Sequence, residues 1–154
     1  MKDILGRPWQ MGTIQLDFQQ PRQFNLEYTD VNGQKKPPVV IHRVIYGSLE
    51  RFIGFLIEHY AGAFPLWLSP IQVSIIPISE KHLEYADKIK NDLENKNIRV
   101  ELENENETLG KKIREAEMQR VPYLLIIGDK EIRDQSVSVR QRGKGDTGIV
   151  TLDK

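Results

Sequence analysis

The stretch HRVIYGSLERFIG, residues 42–54, carries an apolar strand through a Gly-Ser turn into a Glu-Arg pair at the start of a helix. Leu49, Phe52, Ile53, Leu56, Ile57 and Tyr60 recur at helical spacing and make one apolar face. Arg51 lies off that face, in the first turn, where the helix dipole and the unpaired amides already make positive potential. An arginine is unfavourable there unless a negative group joins it, and a phosphate is the simplest candidate. Ser48 is placed to cap the helix and Gly62 to stop it. Read alone, Arg51 is equally a solvated surface arginine, and Ser48 equally a simple cap.

Outward from this stretch the chain divides into two kinds of pattern. Upstream, Ile14, Leu16 and Phe18 alternate with Thr13, Gln15 and Asp17, the period of a strand with one polar face. A second strand is expected around Phe24 to Tyr28, a turn at Asn32-Gly33, and a third strand over Val39 to Tyr46 after Pro37-Pro38. These predict an antiparallel meander closed by the helix over residues 49–60. Downstream, the segment FPLWLSP (residues 64–70) reads as a linker, with residues 1–66 and 67–154 as the two domains. Strand 71–76, helix 80–95 and strand 98–102 form a β-α-β unit. A helix over 109–120 then feeds Tyr123 to Ile127, an all-apolar run expected of a strand covered on both faces. Strands at 137–140 and 149–152 complete a mixed sheet, so the second segment is a small α/β domain behind an α+β first segment.

Composition narrows the function classes. The 154 residues are 39% hydrophobic and 29% charged, which is a soluble, globular balance. Twenty-two basic residues balance 22 acidic ones, so affinity for nucleic acid must come from local placement of charge. The absence of cysteine removes disulfides, thiolate catalysis and any zinc site built wholly from this chain's own thiolates. No apolar run approaches the roughly 18 to 20 residues of a membrane span, and the first residues lack a signal-peptide core. A cytoplasmic, non-membrane protein is the expectation.

The order strand, Gly-Ser, Glu-Arg, amphipathic helix resembles motif 3 of class II aminoacyl-tRNA synthetases. Further blocks extend the likeness: WQMGTIQLDF (9–18), IHR (41–43), GSLERFIG (47–54), HYAG (59–62) and FPLWLSP (64–70). Together they resemble the threonyl-tRNA synthetase family. In the second segment KIRE (112–115), VPYLL (121–125), GDKE (128–131) and SVR (138–140) are similar to that family's anticodon-binding domain. The resemblance implies the C-terminal part of a class II antiparallel catalytic sheet followed by an α/β anticodon-binding domain. It also implies a C-terminal portion only, inactive by itself, because motifs 1 and 2 and two zinc ligands belong to an upstream part. The implied reaction of the whole enzyme is ATP-dependent ligation of threonine to its tRNA through threonyl-adenylate, with a homodimer as the assembly.

Roles follow by resemblance, residue by residue. Arg51 matches the arginine that grips the phosphates of ATP, the nucleotide substrate that arrives with Mg²⁺. Gln10 would contact the nucleotide, and Gln15 and Ser48 would border the threonine pocket. His42 matches one Zn²⁺ ligand; the ordinary reading of a lone histidine is a packed or exposed side chain. Asn106, Arg114, Glu131 and Arg140 match positions that read the anticodon, although helix and turn residues of these types are commonly just solvated. His59 and His82 read as structural or exposed. The rival from another class is a non-catalytic module that binds a tRNA or RNA anticodon loop.

Overall fold

The computed structural model describes residues 1–152. Contacts divide the chain into two compact units, Met1–Tyr60 and the residues from Ala61 onward.

In the first unit, β1 (Thr13–Asp17) pairs antiparallel with β4 (Val40–Val44). A two-residue ladder of β2 (Tyr28–Thr29) and β3 (Lys35–Lys36) forms a separate hairpin. The expected meander is therefore two nested ladders. The expected strand around Phe24 to Tyr28 is replaced by the single turn α1 (Gln20–Gln23) and an irregular run. Asp17 is the cause: its Oδ1 accepts the N–H groups of Gln19 (2.8 Å) and Gln20 (3.0 Å), and Pro21 then fits the first turn. Asp30 sets the hairpin by accepting from the backbones of Asn32 and Gln34.

Helix α2 (Leu49–Tyr60) has the expected bounds. Its start is capped by Ser48 Oγ, which accepts Arg51 N–H at 3.3 Å. Past its end Ala61 and Gly62 take positive φ. Phe52 stacks on Tyr46 with ring centroids 4.4 Å apart, and Phe55 meets Trp9 edge-on at 5.5 Å. Leu49, Ile53 and Ile57 stay exposed. The same holds for one face of the β1–β4 ladder: Ile14, Leu16 and Ile41 are 71%, 58% and 64% exposed. Among the described residues of this unit only Asp3, Met11 and Pro21 are buried.

The second unit is built on a five-stranded sheet in the order β6-β5-β7-β8-β9. Strands β5 (Val73–Pro77), β6 (Val100–Leu102) and β7 (Tyr123–Ile127) run parallel; β8 (Ser136–Gln141) and β9 (Gly145–Thr151) add antiparallel. Alternate residues of β5 and β7 feed two cores. Val73, Ile75, Leu125 and Ile127 pack with Tyr85, Ala86 and Ile89 of α3 (Leu83–Asn95). Ile76 and Leu124 pack with Ala116 of α4 (Leu109–Met118) and with Val121. A strand buried on both faces has no polar side to show, which is why residues 123–127 are all apolar. A short helix, α5 (Asp129–Arg133), follows β7 and has no counterpart in the sequence pattern; five residues carry no readable period. The segment read as a linker is bound into this unit. Arg99 donates from its guanidinium to the carbonyls of Trp67, Ser69 and Pro70.

Candidate functional site

The first unit gathers its sequence-predicted residues into two groups. In one, the Gly47-Ser48 turn lies against the segment preceding β1. Gly47 has φ +67°, and a Cβ there would come within 3.2 Å of the Met11 carbonyl oxygen, so the close approach demands glycine. Met11, the residue after Gln10, is thus the one the turn meets directly. Ser48 Oγ donates to Glu50 Oε2 at 2.7 Å while accepting from Arg51 N–H, and this donation holds the Glu50 carboxyl below the usual range. The Arg51 guanidinium carbon sits 5.7 Å from the centre of the Trp9 ring. A cation–π contact at an exposed site is worth about 0.5–1 kcal/mol, so it orients Arg51 without consuming its hydrogen-bond donors.

Trp9 is itself held. Its Nε1–H donates to Asp3 Oδ2 at 3.0 Å, and Asp3 also accepts the backbone N–H (2.8 Å) and Nε–H (2.6 Å) of Arg7. Burial pushes the Asp3 carboxyl up, but these donors outweigh it and bring it down to about 2. A chain of contacts thus runs from Asp3 through Trp9 to Arg51.

The second group lies on the β1–β4 ladder. Gln15 is the direct cross-strand partner of His42, and residues opposite one another share a face. Asp17, two residues on, shares that face. Its Oδ2 lies 3.3 Å from His42 Nε2. The N–H groups of Gln20 and Gln19 hold the Asp17 carboxyl low, with His42 a smaller contributor in the same direction. An ionised Asp17 can only accept, so this contact pairs it with the tautomer that carries its proton on Nε2 and its lone pair on Nδ1. That is the state in which an imidazole can ligate a metal through Nδ1. No cluster of three metal-ligating side chains exists among the described residues, so His42 alone does not make a metal site here. Sequence reasoning missed Asp17 and Trp9 as site residues; the period-two alternation of β1 could have found Asp17, whereas nothing local announces Trp9.

In the second unit the four candidate anticodon residues fall along α4 and at the two ends of β7. Asn106 is exposed in the loop before α4 and lines a narrow cleft with Ile78, Ser79, Leu83 and Lys112. The buried Lys112 ammonium fastens this loop by donating to the carbonyls of Pro77 (3.4 Å) and Glu103 (3.2 Å). Glu103 is itself pushed up, chiefly by burial and next by the Glu101 charge. Glu131 accepts Gly128 N–H at 2.9 Å and so caps α5 at the carboxyl end of β7. His82, read as structural or exposed, is buried; it accepts Ser79 N–H at Nδ1 and faces Asp129 with Nε2 at 3.1 Å. Arg114 is exposed on α4.

Arg140 lies near the other end of the strand. It pairs with Leu124 of β7, four residues before Gly128 and so roughly 13 Å from it along the strand. Arg140 lines a cleft of about 260 Å³ with Glu117, Arg120, Arg142 and the hairpin residues Gly143 and Gly145. Its Nη2 is 3.5 Å from Glu117 Oε1, and its buried Nε has no hydrogen-bond partner among the described residues. A buried donor without an acceptor costs about 1–3 kcal/mol. Arg142 shapes the cleft by donating to the carbonyls of Arg120, Ala63 and Phe64. Three arginines, Arg120, Arg140 and Arg142, against the single carboxylate Glu117 make this cleft net basic.

Comparison with known proteins agrees with both halves. Residues 72–154 match the family model of the anticodon binding domain, and residues 1–60 match that of the tRNA synthetase class II core domain (G, H, P, S and T). A threonine–tRNA ligase of Carboxydothermus hydrogenoformans is 62% identical over 148 residues, covering 96% of this chain and 23% of that protein. That of Clostridioides difficile is 58% identical over 154 residues, covering 100% of this chain and 24% of that protein. This chain thus spans about a quarter of the length of the curated relatives it matches. Among solved structures, the RNA binding domain of threonyl-tRNA synthetase from Cryptosporidium parvum aligns with TM-score 0.80 and 42% identity over 99% of this chain and 39% of that one. A Giardia lamblia prolyl-tRNA synthetase shares the fold, with TM-score 0.71 and 20% identity over 96% of this chain and 33% of that one.

Proposed function

The chain belongs to the anticodon-binding domain family and, over nearly its whole length, to the threonyl-tRNA synthetases, whose C-terminal part it matches; from that premise we propose that it serves the ATP-dependent ligation of threonine to its tRNA. In this reading Arg51 binds the phosphates of Mg²⁺-bound ATP. Its fixed positive charge and planar donors stabilise the charge that grows on pyrophosphate as threonyl-adenylate forms. Gln10 contacts the nucleotide, and Gln15 and Ser48 border the threonine site. The single observation that carries the reading is the Gly47–Met11 approach, which supports a shared role for Gln10, Ser48 and Arg51 around one helix mouth.

His42 would supply one imidazole to zinc, the remaining ligands coming from residues outside this chain. A bound zinc would act as a Lewis acid on the amino and hydroxyl groups of threonine and so reject isosteric valine. Asp17 holds the His42 ring with Nδ1 free of its proton. The exposed Ile14, Leu16 and Ile41 face supports a working catalytic domain that includes more sheet than this unit holds. A homodimer of the complete enzyme belongs to the same reading. None of the described helices is long and apolar enough to cross a membrane.

Arg51 provides the test. In an intact ligase carrying this segment, Arg51→Ala should abolish threonine-dependent ATP–pyrophosphate exchange while leaving tRNA binding in place. Normal exchange in that variant would refute the assignment. A second reading, an RNA-binding module without catalysis, is favoured by the Arg140 cleft alone. Asn106, Arg114, Glu131 and Arg140 are the anticodon contacts under either reading.

A further inference from the structure

The Arg140 cleft holds one group that neither catalysis nor anticodon recognition calls for. Glu117 places a carboxylate against the guanidinium expected to meet RNA. We propose that Glu117 is a built-in competitor: it occupies Arg140 in the free protein, and an acceptor group of an unpaired RNA nucleotide must displace it on binding. The proposal rests on the reading of this unit as an anticodon-loop binder.

Three observations carry it. The Nη2–Oε1 separation of 3.5 Å is long for a charge-assisted hydrogen bond, so the pair is loose. The Glu117 side chain is 57% exposed and can swing into water, whereas that of Arg140 is 31% exposed and anchored in the sheet. Arg140 Nε is buried with no acceptor among the described residues, so Glu117 leaves the guanidinium only partly satisfied. The cleft also has room: Gly143 and Gly145, both at positive φ, present no side chain to it. Glu117 therefore weakens RNA binding in general, because an RNA acceptor must first displace it from Nη2.

The test uses the full 154-residue chain and an RNA hairpin carrying the anticodon stem-loop of a threonine tRNA, with affinity read by fluorescence anisotropy at about 0.1 M salt. Glu117→Gln should bind about three- to fivefold tighter, the range set by an exposed ion pair. Glu115→Gln is the charge control. It removes the same charge elsewhere on α4, where Glu115 faces Lys111 at 3.9 Å, and should gain less than about twofold. Circular dichroism checks that each variant is folded. A Glu117→Gln chain that binds no tighter than wild type, or a Glu115→Gln chain that gains as much, overturns the competitor role. Arg140→Ala separates the layers: loss of binding there with no gain in Glu117→Gln sinks only the competition, whereas unaltered binding in Arg140→Ala sinks the anticodon reading and the proposal with it.

Discussion

The substitution Asp17→Asn should reverse the proton on His42. The new side chain keeps a carbonyl oxygen for the N–H groups of Gln19 and Gln20, so the start of α1 survives, since asparagine caps as well as aspartate. What changes is the other arm. In place of an oxygen that only accepts, an NH₂ that only donates now lies about 3.3 Å from His42 Nε2. Nε2 must then accept, the proton moves to Nδ1, and the lone pair that could hold a metal there disappears. Loss of such an orienting carboxylate typically costs about 10- to 100-fold in metal affinity. His42 is partly exposed, so the lower half of that range, about 10- to 30-fold, is expected. Two assays follow. Long-range ¹H–¹⁵N correlation spectra of the chain above about pH 8, where imidazole is neutral, should show the Nε2–H form dominant in the wild type and depleted in the variant, with no metal needed. In an intact ligase, chelator competition should show the drop in zinc affinity. An unchanged tautomer in the first experiment would refute the orienting role of Asp17. A changed tautomer with unchanged zinc affinity would refute the assignment of His42 as a ligand through Nδ1.

Two further predictions concern stability. The Asp3 carboxyl is held at about 2 against an unfolded value of 3.8, so its contribution is complete above about pH 5 and is lost as the pH falls from about 4 through 2. Urea midpoints followed by Trp9 environment should fall more steeply over that window in the wild type than in Asp3→Asn, and parallel slopes would contradict the Asp3–Trp9 link. In the second unit, Ile75 is fully buried, so Ile75→Ala should cost about 2–5 kcal/mol and lower Tm by on the order of 10–30 °C in thermal melts. Ile149→Ala, at a half-exposed β9 position, should stay within about 0.5 kcal/mol, and comparable losses at both sites would undo the assignment of the core to the α3 face.

Legibility in the sequence tracked the reach of each interaction. Residues 49–60 and 123–127 read correctly because their signal is written in consecutive residues, as an apolar period of three to four in one and an unbroken apolar run in the other. Residues 24–27 read wrongly as strand because a single carboxylate, Asp17, started a helical turn at 20–23 that side-chain alternation does not report. The short helix at 129–133 depends on Glu131 reaching back to Gly128, a cap that is visible only once the strand before it has ended.

By itself the sequence singled out the candidate residues: an arginine at a helix mouth, a histidine on a strand, and a set of polar and basic residues in the second half. Tertiary structure alone decided which of them meet. Strand register put Gln15 and Asp17 on the face of His42, and the Gly47-Ser48 turn came up against Met11. The antiparallel run of β8 carried Arg140 away from Glu131 and against Glu117. Periodicity records whether a residue faces inward or outward in its own element. Partnership across 25 residues, as between Asp17 and His42, is fixed only when the whole set of buried faces is satisfied at once.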